Sequence, residues 1–211
     1  MKLRALALLM CLAFMPLHAA NLVQNPAFDL GPVVGQGQPI LDWNSHSTAG
    51  NFGWGVGNAD SHSSPQAAAT GCSGQTCLDP INGTWISETL STVTTDTYSL
   101  TFWFDPRVQG SGPSTGTNFT ELDVYWNGTL ALSLPNAAPG YTQETLTGLV
   151  ATGTSTVLQF SGRDDPNLIW LDDVDVEATP TSSVPEPASI AFCALGLAGV
   201  WLRRCCSRAG L

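Results

Sequence analysis

The residues of this chain that could do chemistry are carboxylates, tryptophans and one close pair of cysteines. The most informative carboxylate is Asp172, in the run Trp170-Leu-Asp-Asp-Val-Asp-Val176. Strand alternation puts Asp172 on the same face as Trp170 and the two valines, and hence toward a core. A carboxylate there must be protonated, hydrogen-bonded or bound to a cation. The sequence therefore predicts that Asp172 is buried.

Two arrangements could hold a buried Asp172, and the residues leave both open. Backbone N–H groups could donate to its carboxylate. Alternatively, a structural Ca²⁺, which prefers oxygen ligands, could bind Asp172 together with Asp29 near the N-terminus, because the first and last strands of a sandwich commonly lie close together. Neither arrangement makes Asp172 catalytic.

Six tryptophans lie between positions 43 and 170, and flat aromatic faces suit the apolar faces of pyranose rings. Most of them are expected in the core. Two are not easily assigned there: Trp54, in the glycine-rich run Asn51-Phe-Gly-Trp-Gly-Val-Gly57, and Trp103, on the polar face of its predicted strand. We predict that Trp54 and Trp103 contact a ligand.

The residues do not indicate catalysis. Acidic candidates such as Glu88 and Asp105 are present, but nothing singles out an acid and base pair. Asp164-Asp165-Pro166-Asn167 is typical of an acidic turn. The sequence contains no Gly-x-Ser-x-Gly, His-Glu-x-x-His or phosphate-binding loop. A non-catalytic protein is expected.

Cys72 and Cys77 are separated by four residues in a loop rich in Gly and Ser. In an oxidising compartment this spacing favours a local disulfide. The alternative is a metal site, but His46 and His62 lie in polar loops and no second pair has zinc-ligand spacing.

The elements that would position these residues are short strands. Apolar alternations are separated by Gly, Pro, Asn, Ser and Thr, and no stretch keeps a helical period for three turns. Strands are predicted at 85–90, 98–104, 122–126, 130–134, 143–150, 156–161 and 169–177. A three-residue loop, Asn127-Gly128-Thr129, is expected to pair Trp126 with Leu130. The fold class is all-β, an antiparallel two-sheet β-sandwich over residues 21–178.

The N-terminus and the distribution of charge indicate export. Lys2 and Arg4 precede an apolar run and then Ala19-Ala20, which predicts a signal peptide over residues 1–20. All 17 Asp and Glu residues of the 211-residue chain lie between Asp29 and Glu186, where Arg107 and Arg163 are the only basic residues. Such an acidic region repels nucleic acid, so no nucleic-acid partner is expected.

The C-terminus follows a tripartite order after a polar linker at residues 179–184. Pro185-Glu186-Pro187 precedes an apolar segment at 188–202, which is about 22 Å long as a helix, and then Arg203 and Arg204. Residues 185–211 resemble the PEP-CTERM sorting signal of Gram-negative exported proteins. The resemblance implies a transmembrane helix that holds the precursor in the inner membrane until an exosortase processes it. Cys205 and Cys206 fall outside this pattern.

The predicted β-sandwich domain, residues 21–178, resembles domains often attached to that signal. Asn21-Leu-Val-Gln-Asn-Pro-Ala-Phe-Asp29 is similar to their opening motif, and the runs beginning at Tyr98, Trp126 and Leu171 resemble their later strands. The resemblance implies a galactose-binding-like jelly roll akin to carbohydrate-binding modules, in which Asp29 and Asp172 would share a structural calcium.

Three functions are compatible with these features. The leading hypothesis is an exported, non-catalytic cell-surface or matrix protein that binds an exopolysaccharide. The second is a structural or adhesion protein with no specific sugar ligand, and the third is a secreted hydrolase of unrecognised type. The acidic surface predicts that any bound glycan is neutral or bridged by Ca²⁺.

Overall fold

A computed structural model of the chain describes residues 19–48, 53–63, 65–106, 119–165 and 167–179. The chain divides into two units, residues 1–179 and 180–211. The second unit, with the predicted linker beyond Thr179, the sorting motif and the apolar segment, lies outside the described residues, as does most of the predicted signal peptide. Within the described ranges, no helix combines the length and apolar character needed to cross a bilayer.

The described residues form an all-β fold, as predicted. The strands are β1 Asn44–His46, β2 Gly55–Gly57, β3 Ala67–Thr70, β4 Trp85–Ser91, β5 Thr97–Pro106, β6 Phe119–Trp126, β7 Thr129–Pro135, β8 Thr142–Val150, β9 Ser155–Asp165 and β10 Ile169–Thr179, with a short 3-10 helix at Gln75–Leu78. Asp164 and Asp165 therefore end β9, and the predicted acidic turn lies directly after them, where the N–H of Asn167 donates to Asp164 Oδ1 at 3.3 Å. The three shortest strands, β1 to β3, were not predicted.

The strands form two antiparallel five-stranded sheets. Sheet 1 has the order β1-β4-β9-β6-β7 and sheet 2 has the order β2-β3-β10-β5-β8. Their inner faces bury one apolar core, in which Phe102 of sheet 2 meets Phe160 of sheet 1 edge to face at 5.3 Å. The alternation in β5 is as predicted, because Tyr98, Leu100, Phe102 and Phe104 are buried while Trp103 lies on the outer face.

The hairpin between β6 and β7 is closed by two residues, so the predicted three-residue loop is wrong. Asn127 and Gly128 both have positive φ, as a tight hairpin turn requires, and Trp126 pairs with Thr129. A bulge at Ala131 then shifts the register, so that Val124 pairs with Leu132. The bulge brings Leu132 and Leu134 to the core face, whereas Leu130, before the bulge, is exposed.

The predicted disulfide is confirmed. Cys72 and Cys77 are bonded, with their Cα atoms 5.9 Å apart, and both are buried. The bridge closes the loop that carries the 3-10 helix across the outer face of sheet 1, where the Tyr125 hydroxyl donates to the carbonyl of Leu78 at 3.1 Å. The disulfide thus closes the loop on itself, and the Tyr125 bond ties it to the sheet.

Candidate functional site

The outer face of sheet 2 carries a cluster of aromatic and acidic side chains. Residues directly opposite each other in antiparallel strands share a face. Trp103 of β5 therefore lies between Asp172 of β10 and Gln143 of β8. Trp170 packs on the same face against Ala67 and other small neighbours. Trp103 is half-buried, so the predicted ligand contact is at the surface.

A loop of residues 58–63 folds over this face. The backbone N–H groups of His62 and Ser63 donate to Asp172 Oδ2 at 2.8 and 3.4 Å, and the Ser63 hydroxyl donates to Asp173. The Tyr141 hydroxyl donates to the carbonyl of Asp60 at 3.1 Å. These bonds fasten the loop to both sides of Trp103.

Glycine is required where this loop leaves the sheet. A Cβ atom on Gly57 would lie 2.9 Å from the Trp170 ring, closer than such atoms normally approach. The chain can pass over the indole only because position 57 has no side chain.

His62 lies parallel to Trp103 and next to Tyr141. The His62 and Trp103 ring centroids are 3.6 Å apart with planes 16° apart, and Tyr141 is tilted by 59° at 5.4 Å from His62. His62 Nδ1 donates to Asp173 Oδ2 at 2.8 Å, which fixes the ring orientation. We call Trp103, His62 and Tyr141 the Trp103 platform. His62 and Tyr141 were not predicted as part of a site, because contacts across loops leave no periodic signal in the sequence.

Asp172 is fully buried, as predicted, but on the other side of the sheet from the predicted one. Residues 173 and 174 lie opposite the single residue Phe102, and Asp173 has a φ of 49°. This bulge reverses the alternation, so Val174 and Val176 enter the core while Asp172 points outward beneath the loop. The prediction that these valines share a face with Asp172 is wrong.

The Asp172 carboxylate is held by backbone N–H groups. Besides the bonds from residues 62 and 63, its Oδ1 accepts the N–H of Asp173 at 2.8 Å. Burial, together with the neighbouring Asp173 charge, raises the pKa of Asp172 to about 6, although the three N–H bonds oppose the shift. These bonds match the first of the two predicted arrangements.

Calcium at Asp29 and Asp172 stays a prediction. Asp29 is half-buried in the opening loop, and the Asp172 hydrogen bonds go to other residues. In the part of the chain that the structure describes, no group of three or more His, Cys, Asp or Glu side chains is arranged to bind a metal. The two carboxylates suit calcium in type, but fall short of the six to eight oxygens it usually takes.

Trp54 does not contact ligand, and that prediction is wrong. Its side chain is 0% exposed in the core, and its ring would lie 3.0 Å from a Cβ on Gly162. The glycines around it in sequence allow the chain to pack closely rather than to open a site. Gly55 shows this, because a Cβ there would meet the backbone at Val34 at 2.7 Å.

Ser63, His62 and Asp173 are the residue types of a hydrolytic triad, but their bonds are not those of one. In a triad the serine hydroxyl is bonded to the histidine, which is oriented by the aspartate. Here the Ser63 hydroxyl donates to Asp173. The serine is therefore not activated by the histidine, and the cluster serves to hold the loop.

The fold of the described residues is similar to that of several solved structures. No family model and no curated protein matches this sequence. A protein proposed to bind sugar, from Bacteroides thetaiotaomicron VPI-5482, aligns over 76% of this chain and 100% of its own, with 11% identity and a TM-score of 0.54. The tandem CBM22 domain of Xyn10C from Paenibacillus barcinonensis aligns over 83% of this chain and 50% of its own, with 14% identity and a TM-score of 0.50.

A cyclase from Fischerella sp. TAU is similar to a comparable degree. It aligns over 78% of this chain and 100% of its own, with 14% identity and a TM-score of 0.53. One fold can carry unrelated activities, so at these identities the likeness shows the fold alone. The described domain is a β-sandwich of the jelly-roll type found in carbohydrate-binding modules.

Proposed function

We propose that this chain is an exported, non-catalytic surface or matrix protein that binds a neutral polysaccharide on the Trp103 platform. The observation that carries the proposal is the cluster of three aromatic rings on the outer face of sheet 2, held by a loop anchored to Asp172 and Asp173. Preorganised rings lose little conformational entropy when a ligand binds.

The chemistry of the platform suits sugar. An aromatic ring packs against the C–H face of a pyranose, and nearby amides and hydroxyls bond to its hydroxyl groups. Gln143 and Thr145, both exposed on β8, lie beside Trp103 and Thr101 respectively. The platform thus combines apolar surface with hydrogen-bonding groups.

The charge around the platform selects against polyanions. Asp173 and Asp175 lie on β10 beside the rings, whereas Arg163 of sheet 1 is the only arginine or lysine among the described residues. Carboxylates repel a uronate-rich chain at neutral pH. The favoured ligand is a neutral glycan.

Affinity electrophoresis tests this function on the full-length chain in mild detergent. Gels contain galactan, xylan, β-glucan or polygalacturonate. We expect a neutral polysaccharide to retard the wild type, and Trp103→Ala to weaken that binding at least about 10-fold through loss of stacking. The control is Thr97→Ala, six residues along the same strand and face, about 20 Å away.

Two outcomes would contradict the proposal in different ways. If no polysaccharide retards the wild type, sugar binding is wrong and the alternative of a structural or adhesion protein stands. That alternative is favoured by one observation, the His62 ring that lies over Trp103. If Trp103→Ala binds as tightly as the wild type, the platform is the wrong site.

Sorting by an exosortase belongs to the same proposal. It rests on the order of Pro185-Glu186-Pro187, the apolar residues 188–202 and the arginines at 203 and 204. By the positive-inside rule, the arginines would keep the tail end in the cytoplasm while the acidic domain lies outside. Processing would then move the domain to the cell surface or matrix.

A further inference from the structure

The outer face of sheet 1 carries a second histidine stacked on a tryptophan. His46 of β1 and Trp85 of β4 are direct partners across the two strands, so their side chains share the outer face. The ring centroids are 5.4 Å apart and the planes differ by 17°, which is an offset stack. Trp85 is half-buried and His46 is exposed.

Hydrogen bonds fix the orientation of both rings. His46 Nδ1 donates to the carbonyl of Gly83 at 2.6 Å, and Trp85 Nε1 donates to the carbonyl of Ile81 at 3.3 Å. Because both acceptors belong to the loop just before β4, this loop sets the position of the two rings together.

The loop itself is rigidly built. Asp79 Oδ1 accepts the N–H groups of Ile81 and Asn82 at 2.8 and 2.9 Å, and the Asp79 carbonyl accepts the N–H of Gly83 at 2.9 Å. These backbone bonds lower the pKa of Asp79. Gln159 donates to the carbonyl of Pro80 at 3.0 Å. The loop backbone is therefore held by several hydrogen bonds that need no ligand.

This rigid loop presents an apolar side chain to solvent. Ile81 is 73% exposed next to Trp85, and the amides of Asn44 and Asn82 are exposed nearby. Single exposed apolar residues are common on protein surfaces. An isoleucine, an indole and an imidazole held together with two amides have instead the composition of a sugar-binding surface.

We propose that His46, Trp85 and Ile81 form a second binding surface for the neutral glycan, so that one domain links two glycan chains. This inference rests on the proposed function of the Trp103 platform. The two surfaces lie on the outer faces of opposite sheets, which are about 10 Å apart at their backbones. Sugar units bound on opposite sides can belong to separate polysaccharide chains, and binding two chains in this way would cross-link a matrix.

A capture experiment tests the second surface. A neutral polysaccharide that retards the wild type, galactan for example, is immobilised, saturated with full-length protein, and then exposed to the same polysaccharide in solution. We expect the wild type to capture the second chain. Trp85→Ala should still bind the immobilised chain through Trp103, but its capture of the second should fall at least about 10-fold.

Matched variants separate the possible explanations. His46→Ala should lower capture in the same direction and serves if Trp85→Ala does not fold, as judged by circular dichroism. Thr89→Ala, exposed on the same face of β4, should capture like the wild type. Undiminished capture by folded Trp85→Ala or His46→Ala overturns the second surface and leaves the proposed function standing. Failure of the wild type to bind the immobilised chain overturns both.

Discussion

Glu88 carries an ionisable carboxyl group but is buried in the apolar core. It lies on the core face of β4 between Ile86 and Leu90 and is only 5% exposed. Its Oε1 accepts the N–H of Gln24 at 2.8 Å, whereas Oε2 has no hydrogen-bond partner among the described residues. Burial raises the pKa of Glu88 to about 7, opposed by the Gln24 bond and assisted by the charge of Asp42.

This residue makes stability depend on pH. The folded pKa of Glu88 is above the ordinary glutamate value, so the folded state binds the proton more tightly, and stability should fall as pH rises from about 4.5 through 7. Glu88→Gln keeps an acceptor for Gln24 and removes the charge. We expect the variant to be about 2 to 3 kcal/mol more stable than the wild type at pH 8, and of similar stability at pH 4.

Urea denaturation at both pH values measures this effect. Parallel stability profiles for Glu88→Gln and the wild type between pH 4 and 8 would show that folding does not raise the pKa of Glu88. The variant retains the bond to the opening segment, so a pH-independent loss of stability would point to a packing defect instead.

The six tryptophans between positions 43 and 170 differ in how well their positions could be predicted from the sequence. Four of the six between positions 43 and 170 are buried, as expected for most of them. Trp103 was correctly placed on the outer face by the alternation of β5. In β4, Ile86 and Leu90 face the core. Alternation therefore also predicts Trp85 on the outer face. Trp54 was misplaced because it lies outside any strand, just before β2, which itself has too few residues for alternation to be seen.

At the scale of elements, two bulges decide which side chains face the core. The bulge in β10 sends Asp172 outward and the valines inward, and the bulge in β7 brings Leu132 and Leu134 to the core face. An inserted residue inverts every side chain beyond it. Alternation therefore predicts faces up to a bulge and fails after it.

The bulge of β10 and the loop at 58–63 also bear on the calcium prediction. Asp172 accepts three N–H bonds but lies beside Asp173, whose charge a cation would offset. If calcium also binds at Asp29, EDTA should lower the melting temperature by several degrees, and Asp172→Ala should abolish this sensitivity. Differential scanning calorimetry with EDTA or excess Ca²⁺ measures both. An EDTA-insensitive wild type would leave the N–H groups as the only support of the carboxylate.

At the scale of the whole molecule, an acidic domain is combined with basic ends. All Asp and Glu residues lie between positions 29 and 186. Apart from Arg107 and Arg163, the Lys and Arg residues lie near the two termini. This separation fits a domain that is exported while a basic end stays in the cytoplasm. It also fits a glycan ligand without negative charge.

Processing at the C-terminus is the prediction that belongs to the complete chain. Mass spectrometry of the mature protein from a host that contains an exosortase should show a chain that ends near Pro185-Glu186-Pro187 and lacks residues 188–211. Glu186→Ala should leave the tail attached. A mature wild-type protein that still ends at Leu211 would contradict sorting by cleavage.

Four features could be predicted from the amino-acid sequence alone: the fold class, seven of the strands, the disulfide and the burial of Asp172. These depend on local spacing, because alternation, turn residues and close cysteines act within a few positions along the chain. The side on which Asp172 is buried does not follow from local spacing. It depends on whether two residues oppose one in a neighbouring strand.

The residues that form the Trp103 platform and the His46–Trp85 surface could be identified only from the tertiary structure. His62 reaches Trp103 from a loop 41 positions away, and Tyr141 joins them from the position just before β8. His46 meets Trp85 because β1, too short to be predicted, pairs with β4. Such contacts join residues that are distant in sequence, and strand pairing and loop closure bring them together only when the whole sandwich forms.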